Sequence, residues 1–279
     1  MRKLAVYKGF GLCLIRKNYK RQIISLYTWK QVISGNKNTS LLDRTITFDK
    51  ILVVVCLHGN EQYGLKIIKD LPKNLRYVIA NQKAVKNCKR FIDCDLNRCF
   101  PGDKNGNYEE KLAYKLANEL KKFDFVIDLH SSSGECPLFG IITKKDKLHI
   151  DFARKMGLKK LVVMSKEYAS GKSLIDFAKT GISLEIGPHE RKENVKEVLD
   201  VIYNLLRGKE NNEMKIFQVF SIVKQEYKDI LIKNFKYVKK RYIMTRDKDL
   251  KQFAKYDFVP AIVSNKPYNN VLCLACKRI

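Results

Sequence analysis

Apolar and polar positions change rhythm twice along the chain. Residues 1 to about 48 mix short apolar pieces such as IISLYTW with frequent basic residues and a single acid, Asp43. From Lys50 the texture becomes regular: KILVVVCL, RYVIAN, FDFVIDLH, LKKLVVM and TGISLEIGP are apolar, β-branched runs that read as buried strands. Between them LKIIKDL, YEEKLAYKLANELKK and NVKEVLDVIYNLLRGK carry helical spacing, the last ended by Gly208. After about Asn212 the segments MKIFQVFSIV, YDFVPAIVSN and NNVLCLA are short and alternating. The pattern predicts three parts: a basic N-terminal extension over 1–48 whose order it leaves open, an α/β layer sandwich over 49–212, and a small β-rich C-terminal domain over 213–279.

Composition narrows the class. The 279 residues include 55 Lys and Arg against 29 Asp and Glu, a formal charge of +26, yet 45% are hydrophobic, which excludes a disordered polycation. The charge fits either a surface for nucleic acid or anionic membrane, or a lysine-rich background around a pocket for an acidic small molecule. Eight cysteines are scattered without a secretory pattern and read as reduced thiols of a cytoplasmic protein. Cys273 and Cys276 form a lone CxxC, which is weak evidence for metal or redox chemistry. No apolar run approaches the ~20 residues of a membrane helix, and MRKLAVYKGFGLCLI, interrupted by Lys8, reads as non-targeting.

Polar residues gather where strands end. His58 and Glu61 follow the first strand, Asp128 and His130 close FDFVIDLH, and Glu185 sits in TGISLEIGP. In an open α/β sheet ligands bind at the carboxyl ends of strands. Two histidines and a carboxylate are a donor set for catalytic zinc, with a position left for water. Spacing alone leaves this reading open beside that of hydrogen-bonded loop histidines.

The strings HGNE, NQKAVKNCKRFIDCDLNR, VIDLHSSS and GISLEIGP occur in order between about Lys50 and Pro188. Together they resemble the motifs of the aspartoacylase and succinylglutamate desuccinylase family, relatives of the zinc carboxypeptidases. The resemblance implies a mixed-sheet carboxypeptidase-like sandwich and one zinc ion per chain, held by His58, Glu61 and His130. Asp128 would orient a ligand from behind, and Glu185 would be the general base toward zinc-bound water. Arg90 would stabilise the oxyanion, and Asn97 and Arg98 would bind the substrate α-carboxylate. Tyr268 falls where the family places a substrate-binding tyrosine. The implied activity is deacylation of an N-acyl acidic amino acid, N-acetylaspartate giving acetate and aspartate. Its alternatives are a succinylglutamate desuccinylase or carboxypeptidase-like hydrolase with another acyl substrate, and a non-catalytic nucleic-acid-binding protein. The expected partner is a small acidic substrate, with neither nucleic acid nor membrane, and family likeness allows a homodimer.

Two features depart from the family pattern. Where it places an arginine for the side-chain carboxylate, ASGKSLID offers Lys172, a point charge without a bidentate fork. The segment after Asn212 is also short for the family's β domain. His149 and His189 read as surface or loop residues, with His189 also a candidate for the pocket rim, and Asp93 and Asp95 are assigned a structural role. Ser131, Ser132 and Ser133 lack a GxSxG context.

Overall fold

Strand-forming runs and helical stretches alternate because each strand is apolar on both faces and must be covered twice. The computed structural model describes residues 46–188, 194–207, 210–264 and 268–279. The basic extension up to residue 45, His189 and Gly208 fall outside them. The strands are β1 (Ile51–Val55), β2 (Arg76–Ile79), β3 (Phe125–Ser132), β4 (Phe139–Ile142), β5 (Lys160–Val163), β6 (Thr180–Pro188), β7 (Lys215–Lys224), β8 (Asp229–Ile230), β9 (Ile243–Asp247), β10 (Leu250–Phe253), β11 (Val259–Ala261) and β12 (Val271–Arg278). The helices are α1 (Gly64–Ile67), α2 (Gln82–Lys86), α3 (Tyr108–Leu120), α4 (Lys147–Lys155), α5 (Lys166–Ala169) and α6 (Asn194–Arg207).

Nine strands form one mixed sheet in the order β11-β12-β7-β5-β4-β6-β3-β1-β2. Strands β2, β1, β3 and β6 run parallel. Strand β4 lies antiparallel to β6, and β5 and β7 follow it in parallel. Segment 213–279 supplies the outer antiparallel strands β7, β12 and β11 and also a separate three-stranded antiparallel sheet, β10-β9-β8. All described residues belong to one compact unit.

The helices cover both faces of the sheet. On one side Val53, Val55, Ile127, Leu129, Ile182 and Leu184 pack against Phe152 and Met156 and against Val198 and Ile202 of α6. On the other, Leu52, Val54 and Val126 meet Leu116 and Leu120 of α3. Helix α3 is fixed at its start by a capping box between Asn107 and Glu110, with Glu109 and Glu110 at the positive end of its dipole. On β12, Cys273 packs with Val238 and Phe258, whereas Cys276 joins Phe139 and Phe217 in a different cluster, across a bulge at Ala275 and Cys276. Both thiols of the CxxC are free and buried. Among the described residues no helix is long and apolar enough to cross a membrane.

Candidate metal centre

Parallel pairing of β1, β3 and β6 places three strand ends side by side. Asp128 pairs in register with Ser183, and His130 with Glu185. Because strand side chains alternate, these four share one face while Leu129 and Leu184 between them point into the core. The chain leaves β1 through Cys56, whose φ of 54° turns it sharply, and a bond from the Glu61 amide to the His58 carbonyl at 3.1 Å closes the turn that carries both residues.

Among the described residues His58, Glu61 and His130 form a buried trio whose donor atoms lie within 4.8 Å of one another. His58 Nδ1 is 2.6 Å from Glu61 Oε1, and His130 Nδ1 is 3.1 Å from Glu61 Oε2. Each imidazole has its other nitrogen on a carboxylate: His58 Nε2 contacts Asp95 Oδ1 at 3.0 Å and His130 Nε2 contacts Asp128 Oδ2 at 2.7 Å. Outer carboxylates of this kind fix ring orientation at histidine metal sites. The Ser131 amide also donates to Glu61 Oε2, and the Ser183 hydroxyl to Asp128.

Charge in the site is unbalanced. Four carboxylates, Glu61, Asp95, Asp128 and Glu185, lie in or directly behind the site, and Arg90 pairs with two of them, Glu61 and Asp95. Burial alone would raise the Glu61 carboxyl, but His58 and His130 outweigh it and hold it well below the usual range. Burial likewise disfavours charge on His130, yet Asp128 and Glu61 keep its pKa well above the ordinary imidazole value. A site that draws protons onto a buried imidazole to offset its carboxylates is one that a divalent cation suits, and two imidazole nitrogens with one carboxylate oxygen are a zinc donor set. Glu185, which lines the cavity, is pushed up to about 7 by burial and by the charges of Glu61 and Asp128, against the opposing effect of the two histidines.

Arg90 arrives on an irregular segment that the sequence alone does not position. Its Nη2 donates to Asp95 Oδ2 at 3.0 Å, and its Nη1 lies 3.4 Å from Glu61 Oε1. The structural role expected of Asp95 is to hold Arg90 and His58, and it also accepts from the Asn97 amide and so starts the 3-10 turn Leu96–Arg98. The segment is anchored from beneath by Glu109 of α3, which is fully buried and accepts from the amides of Ile92, Asp93 and Cys94 and from Asn81 Nδ2 at 2.7–3.3 Å. In the sequence Glu109 looks like an ordinary first-turn acid of α3, and nothing in its local neighbourhood marks these partners. Gly59 makes the approach of the two loops possible. A Cβ there would lie 2.2 Å from the Ala84 carbonyl carbon and 2.5 Å from the Lys89 oxygen, and the Gly59 amide donates to the Arg90 carbonyl.

These groups open onto a cavity of about 620 Å³ whose lining includes Asn97, Arg98, Tyr168 and an apolar wall with Ile141, Met164, Ile222 and Leu274. Asn97 Oδ1 accepts from the Leu174 amide, which leaves its Nδ2 for a ligand. Lys172 is exposed and is not among the lining residues, although its carbonyl accepts from Phe100. Tyr268 opens a 3-10 turn, and its side chain lies outside the described residues, as does His189. His149 is not a surface or loop residue: it is buried on α4, where its ring contacts the N-cap Asp146 at 2.7 Å.

A sequence profile for the succinylglutamate desuccinylase/aspartoacylase catalytic domain matches residues 48–207, more than half the chain. The chain belongs to this family. Relatives in the succinylglutamate desuccinylase/aspartoacylase family include the N-acyl-aromatic-L-amino acid amidohydrolase (carboxylate-forming) B of Danio rerio, 27% identical over 61% of this chain and 69% of that protein. A probable aspartoacylase of Trichodesmium erythraeum is 27% identical over 50% of this chain, which spans 56% of that protein's length. The crystal structure of murine aminoacylase 3 superposes with a TM-score of 0.70 at 18% identity, covering 83% of this chain and 96% of that one, so the fold is shared.

Proposed function

We propose that the chain is a zinc-dependent amidohydrolase that removes the acyl group from an N-acyl amino acid. The observation that carries this reading is the convergence of His58, Glu61 and His130 beside Glu185, on the wall of a cavity that also bears Arg98. His58, Glu61 and His130 would hold one zinc ion, which when bound supplies Lewis acidity toward water and the substrate carbonyl. Glu185, beside His130 on the cavity wall, would take a proton from the attacking water and return it to the departing amine nitrogen. Arg90, held in place by Asp95, offers its guanidinium to the negative charge that develops on the carbonyl oxygen. The planar fork of Arg98 and the Asn97 amide read the substrate carboxylate.

The side chain of the substrate divides two readings. The acidic substrate implied by the motifs, with N-acetylaspartate or a succinylated glutamate as type compounds, needs a second cation, and Lys172 does not line the cavity among the described residues. The apolar wall of Ile141, Met164, Ile222 and Leu274, with Tyr168 beside it, favours a neutral, apolar or aromatic side chain. Zinc-loaded protein assayed for release of free amino acid from N-acetylaspartate, N-succinylglutamate and N-acetylphenylalanine separates them. The apolar reading expects the phenylalanine derivative to give the largest kcat/KM. Glu185→Ala should lower kcat by about 10²–10⁴ on the preferred substrate. Turnover at the wild-type rate in that variant would remove the mechanism.

A further inference from the structure

The segment that delivers Arg90 and Asp95 also carries two thiols to which the chemistry above gives no part. Cys94 and Cys99 bracket Asp95 and the turn Leu96–Arg98, and their sulfurs lie 2.7 Å apart. Both are partly exposed free cysteines. A disulfide holds its sulfurs at about 2.05 Å, so bond formation asks for a shift well below an ångström. The two thiols are not equivalent. Cys94 sits at the amino end of the thirteen-residue α3, where the N-cap Asn107 donates through Nδ2 to its sulfur at 3.4 Å. Cys99 donates to the Asp95 carbonyl at 3.1 Å, and burial together with the neighbouring Cys94 raises its pKa.

We propose that Cys94 and Cys99 are a reversible dithiol–disulfide pair that, when oxidised by a glutathione-type disulfide, clamps the turn bearing Asp95, Asn97 and Arg98. The Cys94 thiolate attacks one sulfur of glutathione disulfide, whose S–S bond breaks and releases a glutathione thiolate. That thiolate takes the Cys99 proton. The Cys99 thiolate then attacks the Cys94 sulfur of the mixed disulfide and releases the second glutathione as a thiolate, which is protonated by solvent. Two protein thiols are oxidised, one glutathione disulfide is reduced to two glutathiones, and excess reduced glutathione reverses the sequence. The closed loop encloses the bonds from the Arg98 amide to the Asp95 carbonyl and from the Cys99 amide to the Leu96 carbonyl, at 2.8 and 3.1 Å.

Native protein incubated with glutathione disulfide, quenched in acid and digested should yield a peptide in which Cys94 and Cys99 are linked, before the exposed Cys88 is modified. Reduced glutathione should restore both thiols. Cys99→Ser should trap Cys94 as a stable mixed disulfide with glutathione. Cys94→Ser should slow modification of Cys99 at least about tenfold, since the better nucleophile is gone. Amide exchange at Arg98 and Cys99 should slow on oxidation. The pair is refuted if Cys88 takes up glutathione while Cys94 and Cys99 stay alkylatable, or if Cys94→Ser leaves the rate at Cys99 unchanged. Unchanged or faster exchange at Arg98 and Cys99 in the linked protein refutes the clamp. None of these readouts depends on hydrolase activity.

Discussion

Replacing Glu185 with glutamine should stabilise the metal-free protein at pH 8 and do little at pH 5. The side chain is held in its protonated form up to about 7, against 4.5 for an ordinary glutamate. Between those values the folded chain binds a proton that the unfolded chain releases. The carboxyl's favourable contribution is therefore complete below 4.5 and is lost as pH rises through about 7. At about 1.4 kcal/mol for each pH unit between the two values, the loss is on the order of 3 kcal/mol. Glu185 opens on the cavity, so solvent offsets part of that, and about 1–3 kcal/mol is the expected range. Glutamine is the neutral counterpart of the protonated acid and escapes the loss. Urea unfolding of chelator-treated wild type and Glu185→Gln at half-unit steps from pH 5 to pH 8 measures it, with stability compared at equal m-values. The difference should grow with pH in favour of glutamine, most steeply between the two values and levelling off above about 7. A gap that does not change with pH, or one that grows in favour of wild type, would show that the carboxyl is ionised throughout and that its surroundings have been misjudged.

Three other perturbations probe the scaffold around the centre. Gly59→Ala forces backbone at Ala84 and Lys89 to move and carries Arg90 with it, so zinc affinity in a chelator competition should drop at least about tenfold, with a destabilisation of about 1–3 kcal/mol. Asp128→Asn keeps the shape of the side chain but weakens the hold on His130, and zinc affinity should fall about 10–100-fold with unchanged circular dichroism. Glu109→Gln turns a donor toward the amides of Ile92, Asp93 and Cys94 and leaves at least one unsatisfied, which should cost about 1–3 kcal/mol in urea unfolding and speed amide exchange over 92–94.

What could be read from the chain tracks how local the determining physics is. The strands β1, β3 and β6 announce themselves as continuous β-branched runs, and His58, Glu61 and His130 stand at their ends, so order along the sequence already implied proximity in space. Strand β4 and helix α4 are different: the four residues FGII and the mixed texture of KLHIDFARK carry too little periodicity, so in the sequence His149 reads as a surface or loop residue, whereas it lies under the α4 cap. The reach of β7, β12 and β11 onto the edge of the large sheet depends on pairings between distant segments that no local pattern encodes. Asp95 and Glu109 have partners that are hidden from the sequence for a related reason. Each is an unremarkable acid in its own neighbourhood and acquires its role from partners 37 and 15–17 residues away.

The pairing of His130 with Glu185 and of Asp128 with Ser183 has a bearing on how the sheet finds its alignment. Sliding β6 by one residue along β3 would rotate Glu185 into the layer now filled by Leu184 and Ile186, and would bring those two apolar side chains out beside the imidazoles. A carboxylate forced among Ile127, Leu129 and Phe152 has no partner there, and an uncompensated buried charge is among the costliest errors a fold can make. The polar side chains at the ends of β3 and β6 thus penalise a slipped register. Variants that neutralise them trade away some of the penalty that keeps misaligned strands from competing with the native state.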